Sequence, residues 1–192
     1  MPTPLGASRA LTVGETMMLA RLFGTSIPYG AVRIYNRKWV GLQSGNRAVA
    51  PDGNLYIPPG TWFEEDFSLT SDIIRKHDFI HEMAHVWQYH RSSKAGMMFR
   101  GIRSVFNSGY RYKLDTSKVL ADYSLEAQAN ILADYYFLQF EATGVCSQGS
   151  GGCGTLNEYR AVLKDFLANP NDKNSFIKSS LSNARHPYAG YQ

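Results

Sequence analysis

From about Ser71 to Arg91, the positions Ile73, Ile74, His77, Ile80, His81, Ala84, His85 and Gln88 recur at steps of three and four residues. That is the spacing of one helical face, and it predicts a helix. A second run, "LEAQANILADYYFLQFEATG", follows Ser124 and stops at Gly144. Ser124 is an N-cap residue and Gly144 a C-terminal stop, so a second long helix is predicted there. Capping boxes announce two more. Thr12 with Glu15 opens a helix that ends at Gly24, and Thr155 with Glu158 opens "LNEYRAVLKDFLANP", closed by Pro170. "AGMMFRGIRSVFNSG" reads as a short helix weakened by Gly96 and Gly101.

The period changes elsewhere. "AVRIYNRKW" shows partial alternation and β-forming residues, which predicts a strand. Pro51-Asp52-Gly53 then turns the chain into a second strand, "NLYI", so the two are expected to form a short hairpin or meander. "YRYKLDTSKVLADY" and the tail 171–192 are expected to be irregular, and 145–154 a flexible Gly/Ser loop. Four or more helices and a small sheet, with little βαβ alternation, predict α+β architecture. We expect one helix-dominated domain over 1–192, with its small sheet near the N-terminus.

Composition agrees with this. The chain has 192 residues, 44% hydrophobic and 19% charged, enough apolar material to bury a core. No stretch approaches the roughly 20 apolar residues of a membrane span. "MPTPLGASRALTVGE" lacks the basic and apolar regions of a Sec-type signal, so work outside the cytoplasm would require another route of delivery. The net charge is +4. The basic residues, among them Arg33, Arg37, Lys38, Arg75, Lys76 and Arg100, are scattered along the chain. Nucleic-acid binding needs a clustered patch, so it is not expected. Cys146 and Cys153 flank "SQGSGG" and can either pair or remain thiols. With no histidine beside them they make a poor zinc knuckle.

The chemistry concentrates in "FIHEMAHVWQYH", residues 79–90. Residues four apart share a helix face, so His81 and His85 can aim both imidazoles at one point. Glu82 is turned about 100° further round, too far to join them as a ligand but placed to reach a water on the ion. H-E-x-x-H therefore supplies two zinc ligands and a general base on one rigid element. The bland alternative is two hydrogen-bonded core histidines and a surface acid.

A catalytic zinc needs a third protein ligand and an open position. Gln88 and Arg91 stand where one branch of H-E-x-x-H enzymes carries Gly and His, which excludes that branch. Glu126 on the second long helix fits instead, as in enzymes that take a downstream glutamate. Asp134, Asp122 and His77 compete with it, in that order. Read without a metal, Glu126 is a first-turn acid complementing its helix dipole. Asn130 and Asp134 lie one and two turns beyond Glu126, and either can accept the free N–H of a ligand histidine. His90 is rotated off the ligand face and reads as surface. His186 and Tyr188 in the tail are candidate oxyanion donors, with Tyr110, Tyr112, Tyr123 and Tyr159 weaker ones.

"RxYNRKW", "AVAPDGNLYIPPG", "DFIHEMAHVWQ" and "YSLEAQANILADYY", in this order, resemble the zinc-metallopeptidase domain at the C-terminus of some type VI secretion VgrG spike proteins and the free-standing Vgr-related proteins. The resemblance runs over roughly residues 11 to 140. It implies a zincin-like fold, Zn2+ held by His81, His85 and Glu126, and Glu82 as base. It also implies a secreted antibacterial effector carried by the spike into a target-cell periplasm or a host cell. Cell-envelope proteins or peptides would be its substrate, and an immunity protein its partner. Cys146 and Cys153 could pair in such an oxidising compartment. Asn130 departs from the family, whose members often carry an acid there. The competing functional class is a zinc-stabilised binding module that docks a target protein without catalysis.

Overall fold

A computed structural model of the chain describes residues 2–39, 43, 45–92, 111–141, 146–147 and 154–175. The short helix expected over 95–109, His186, Tyr188 and Tyr110 all lie outside them.

Three strands form the sheet: β1 (Ser8–Ala10), β2 (Arg33–Tyr35) and β3 (Leu55–Tyr56), in the order β1-β2-β3. β1, which the alternation pattern did not announce, pairs antiparallel with β2, Arg9 facing Ile34. β2 pairs parallel with β3, Ile34 beside Leu55 and Tyr35 beside Tyr56. The expected hairpin between these two strands is therefore corrected. The Pro51-Asp52-Gly53 turn does reverse the chain, but its partners are Val49 and Tyr56, which exchange backbone hydrogen bonds of 3.1 and 2.9 Å. The reversal is real; it closes on residues just before the turn, which leaves β3 running alongside β2. Gly53 has φ +83°, and a Cβ there would lie 2.6 Å from the Tyr89 ring. Only glycine adopts that conformation at no steric cost while letting the turn touch the helix behind it.

The helices are α1 (Val13–Phe23), α2 (Ile73–Arg91), α3 (Leu125–Tyr136), α4 (Leu156–Val162) and α5 (Lys164–Ala168). Both capping boxes form as expected, at Thr12–Glu15 and Thr155–Glu158. Glu15 does more than cap. It is fully buried and takes two hydrogen bonds from Arg9, at 2.8 and 2.7 Å, and one from Phe67 N at 2.9 Å. One carboxylate thus ties β1, α1 and the segment before α2 together. Asp72 caps α2 by accepting from Ile74 N and Arg75 N. The helix predicted after Thr155 is broken at Leu163, where φ −89° and ψ 5° leave the α region. α3 continues as a wider, π-wound turn over Phe137–Glu141.

α2 and α3 run through the centre. Phe79, Ile80, Met83, Ala84, Val86 and Trp87 of α2 are fully buried, and every residue of α3 from Glu126 to Tyr136 is buried. Trp87 packs edge-on to Phe166, centroids 5.0 Å apart, and lies against Phe23, so α1 and α5 close over it. Its indole N–H donates to Pro170 O at 2.8 Å, which satisfies the one polar atom such burial would strand. The result is the helix-dominated α+β architecture the pattern predicts. Among the described residues no helix is long and apolar enough to cross a membrane.

Candidate metal centre

Four-residue spacing on α2 places His81 and His85 in adjacent turns, their rings edge to face with centroids 4.9 Å apart. Both Nε2 atoms point at α3. His85 Nε2 lies 3.2 Å from His81 Nε2 and 3.2 Å from Glu126 Oε2, and His81 Nε2 lies 3.4 Å from the same oxygen. These three donor atoms form a nearly equilateral triangle. Ligands at about 2.0–2.1 Å from a tetrahedral ion sit about 3.3 Å apart, so the triangle has the size of one face of such a tetrahedron. The donor set of two imidazoles and a carboxylate suits zinc chemistry. His81, His85 and Glu126 together form a group that can hold a metal ion.

The electrostatics follow from burial and proximity. Desolvation works against the Glu126 carboxylate, but the neighbouring His85 charge and the hydrogen bonds from both imidazoles hold it well below the usual carboxylate range. Burial alone would lower the pKa of His85. Glu126, then Glu82 and Gln88, overcome that and raise it to about 9. Glu82 behaves differently. Burial pushes its carboxyl up, with His85 and His81 opposing and Glu126 and Asp78 adding to the rise. Its Oε2 is shut off from solvent and has no hydrogen-bond partner. Buried side-chain oxygens are nearly always paired, so one without a partner calls for an explanation, such as a catalytic role or a bound ion or water.

The remaining sequence candidates fall in different places. His85 Nδ1 meets Gln88 Oε1 at 2.8 Å, so Gln88, one of the residues on the predicted face of α2, is the partner of this candidate ligand. Gln88 was recognisable as a further polar residue on the face that carries the histidines. Asp134, read as acceptor for a ligand histidine, gives its carboxylate to others. It pairs with His77 Nε2 at 2.7 Å, accepts from Tyr112 OH, and accepts from Ser147 N and Oγ at 2.8 and 2.9 Å. His77 and Asp134 thereby occupy each other. Asp122 accepts from Val119 N in a short 3-10 turn and does not join the triangle. Asn130 is buried on α3, one turn from Glu126. Tyr112 and Tyr159 are hydrogen-bonded to each other at 2.6 Å in the core beside Asp134. Tyr123 is tied to Asp115 and Lys113. Cys146 is disulfide-bonded. Cys153, the other cysteine of the chain, lies outside the described residues.

No family model matches the chain. It is similar to the type VI secretion system spike protein VgrG2b of Pseudomonas aeruginosa, 34% identical over 156 residues, which is 80% of this chain. The match spans only 15% of that longer relative. Among solved structures, the effector domain of Pseudomonas aeruginosa VgrG2b superimposes with a TM-score of 0.61 at 28% identity, over 87% of both chains.

Proposed function

Because this chain is homologous to the effector domain of a type VI secretion VgrG spike protein, we propose that it is a zinc-dependent peptidase delivered as an antibacterial effector. The observation that carries the reading is the donor triangle of His81, His85 and Glu126 with the unpaired, buried Glu82 Oε2 electrostatically coupled to all three.

His81, His85 and Glu126 hold the ion. Once bound, a divalent zinc supplies a Lewis acid and lowers the pKa of water it coordinates. Glu82 is the general base. Burial makes its carboxylate a stronger base than an exposed one, so it can take a proton from water and later return it to the leaving amine.

Proteins or peptides of a competing cell's envelope are the substrate class, the spike is the carrier, and the target-cell periplasm or a host cell is the place of action. A binding module with a purely structural ion fits less well. Such a site uses a fourth protein ligand, and among the described residues the group contains three. It also has no use for a carboxylate with one buried, unpaired oxygen, which costs stability.

The test is Glu82→Ala, with the domain directed to a bacterial periplasm. The variant should keep its metal and its fold and lose toxicity. If it kills as well as the parent, the catalytic reading falls.

A further inference from the structure

Two buried glutamines join the candidate ligand helix to the helix that carries Glu126. Gln88 is fully buried and Gln128 is 1% exposed. Gln88 Nε2 donates to Leu125 O at 3.1 Å and to Gln128 Oε1 at 2.9 Å, and Gln128 Nε2 donates to Tyr123 O at 2.9 Å. Backbone carbonyls only accept. Leu125 O and Tyr123 O therefore settle which end of each amide is nitrogen. With both its hydrogens engaged by acceptors, Gln88 can present only its carbonyl oxygen to His85 Nδ1, at 2.8 Å.

From this we infer that Gln88 and Gln128 are positioning residues that preset His85 for the metal. Since Gln88 Oε1 accepts, His85 keeps a proton on Nδ1, and the ring's other nitrogen, Nε2, which faces Glu126, is the one that gives up its proton to offer a lone pair to an ion. That nitrogen is the corner of the donor triangle. The same amide also holds the start of α3. Tyr123 and Leu125 flank Ser124, the N-cap of α3, and Glu126 follows one residue later. One hydrogen-bonded chain thus fixes the ring orientation of His85 and the position of the helix end that brings Glu126 to it. Partners of this kind orient ligand histidines, and their loss typically costs 10–100-fold in metal affinity.

The inference rests on the metal reading, so the parent chain is measured first. It should take up one zinc equivalent, read by competition with a chromogenic chelator. A parent that binds none overturns the metal reading and this inference with it. Gln88→Leu, which keeps the side chain's bulk, should bind zinc about 10–100-fold more weakly while still unfolding cooperatively. In the zinc-loaded parent, proton NMR should show His85 Nδ1–H as a downfield signal protected from solvent exchange, and Gln88→Leu should lose that protection. Gln128→Met leaves the His85–Gln88 bond possible but removes one of the two acceptors that orient Gln88. Its affinity should fall between parent and Gln88→Leu, and it decides the matter alone if Gln88→Leu does not fold. Parent-like affinity in Gln88→Leu, a protected Nδ1–H surviving in it, or parent-like affinity in Gln128→Met each overturns the inference. A merely structural role would lower thermal stability and leave both the affinity and the Nδ1–H signal unmoved.

Discussion

Replacing Asp134 by Asn should destabilise the fold by an amount that depends on pH in one direction. The Asp134 carboxylate is 1% exposed and serves His77, Tyr112 and both polar groups of Ser147. Asparagine keeps the shape but offers a single acceptor and turns an NH2 group towards donors. Removing one partner of a buried ion pair typically costs about 3–5 kcal/mol. The pH dependence comes from His77, whose side chain is 8% exposed. Burial alone would lower its pKa; the Asp134 hydrogen bond, with a smaller part from Asp78, raises it to about 9. An unfolded histidine titrates near 6.5. Because the folded value is the higher one, this stabilisation is fully present below about pH 6.5 and is lost as pH rises towards 9. A gap from about 6.5 to about 9 corresponds to roughly 3 kcal/mol, the net of the Asp134 and Asp78 contributions after they have offset burial. Urea denaturation of parent and Asp134→Asn, both with chelator present, measures this between pH 6 and pH 10. The titration of His85 is common to both proteins and cancels in the difference. The gap in unfolding free energy should be largest at pH 6 and shrink to about 1 kcal/mol by pH 10, the residue being lost hydrogen bonds. A gap that stays constant, or widens with pH, would refute the assignment of an ion pair.

Two further outcomes follow from other parts of the molecule. Glu126→Ala removes one corner of the donor triangle, and His81→Ala another, so each should lower the zinc content of the purified protein; a full equivalent retained by Glu126→Ala would move the third ligand elsewhere. Gly53→Ala forces a side chain into φ +83° and within 2.6 Å of the Tyr89 ring, and should cost about 1–3 kcal/mol in chemical denaturation, with a neutral result showing that the turn can shift off α2.

Three of the helices were legible because each carries its own start signal. Thr12, Ser124 and Thr155 all cap where the pattern places them. The candidate donor triangle was legible for a related reason. His81 and His85 are held together by helical spacing alone, and only Glu126 had to be brought from outside the local sequence. What was missed depends on long-range geometry. The parallel pairing of β2 and β3 cannot be read from two strands and a turn, because the turn's true partner, Val49, forms a bridge too short to show alternation. Asp134 was assigned by its helical phase relative to Glu126. Phase is correct within α3 but says nothing about which turn of α2 it meets. Gln88 lay on the right face all along; its amide looked uninformative because glutamine carries no charge and no metal affinity of its own.

The α2–α3 seam explains why these polar groups are tolerated in a core. Along it, His77 meets Asp134, His81 and His85 meet Glu126, and Gln88 meets Leu125 and Gln128. As numbers rise on α2 they fall on α3, so the helices are antiparallel and the contacts form successive rungs. An apolar seam would tolerate a slip of one helical turn, since one aliphatic side chain packs much like another. A polar seam resists it, because a slip strands buried donors and acceptors in a dry interior at about 1–3 kcal/mol each. A slip of α3 by one turn would replace Glu126 with Asn130 opposite His85 and break the Asp134–His77 pair at the same time. The rungs above and below the triangle therefore help hold the register that brings Glu126 Oε2 within 3.4 Å of both imidazole nitrogens.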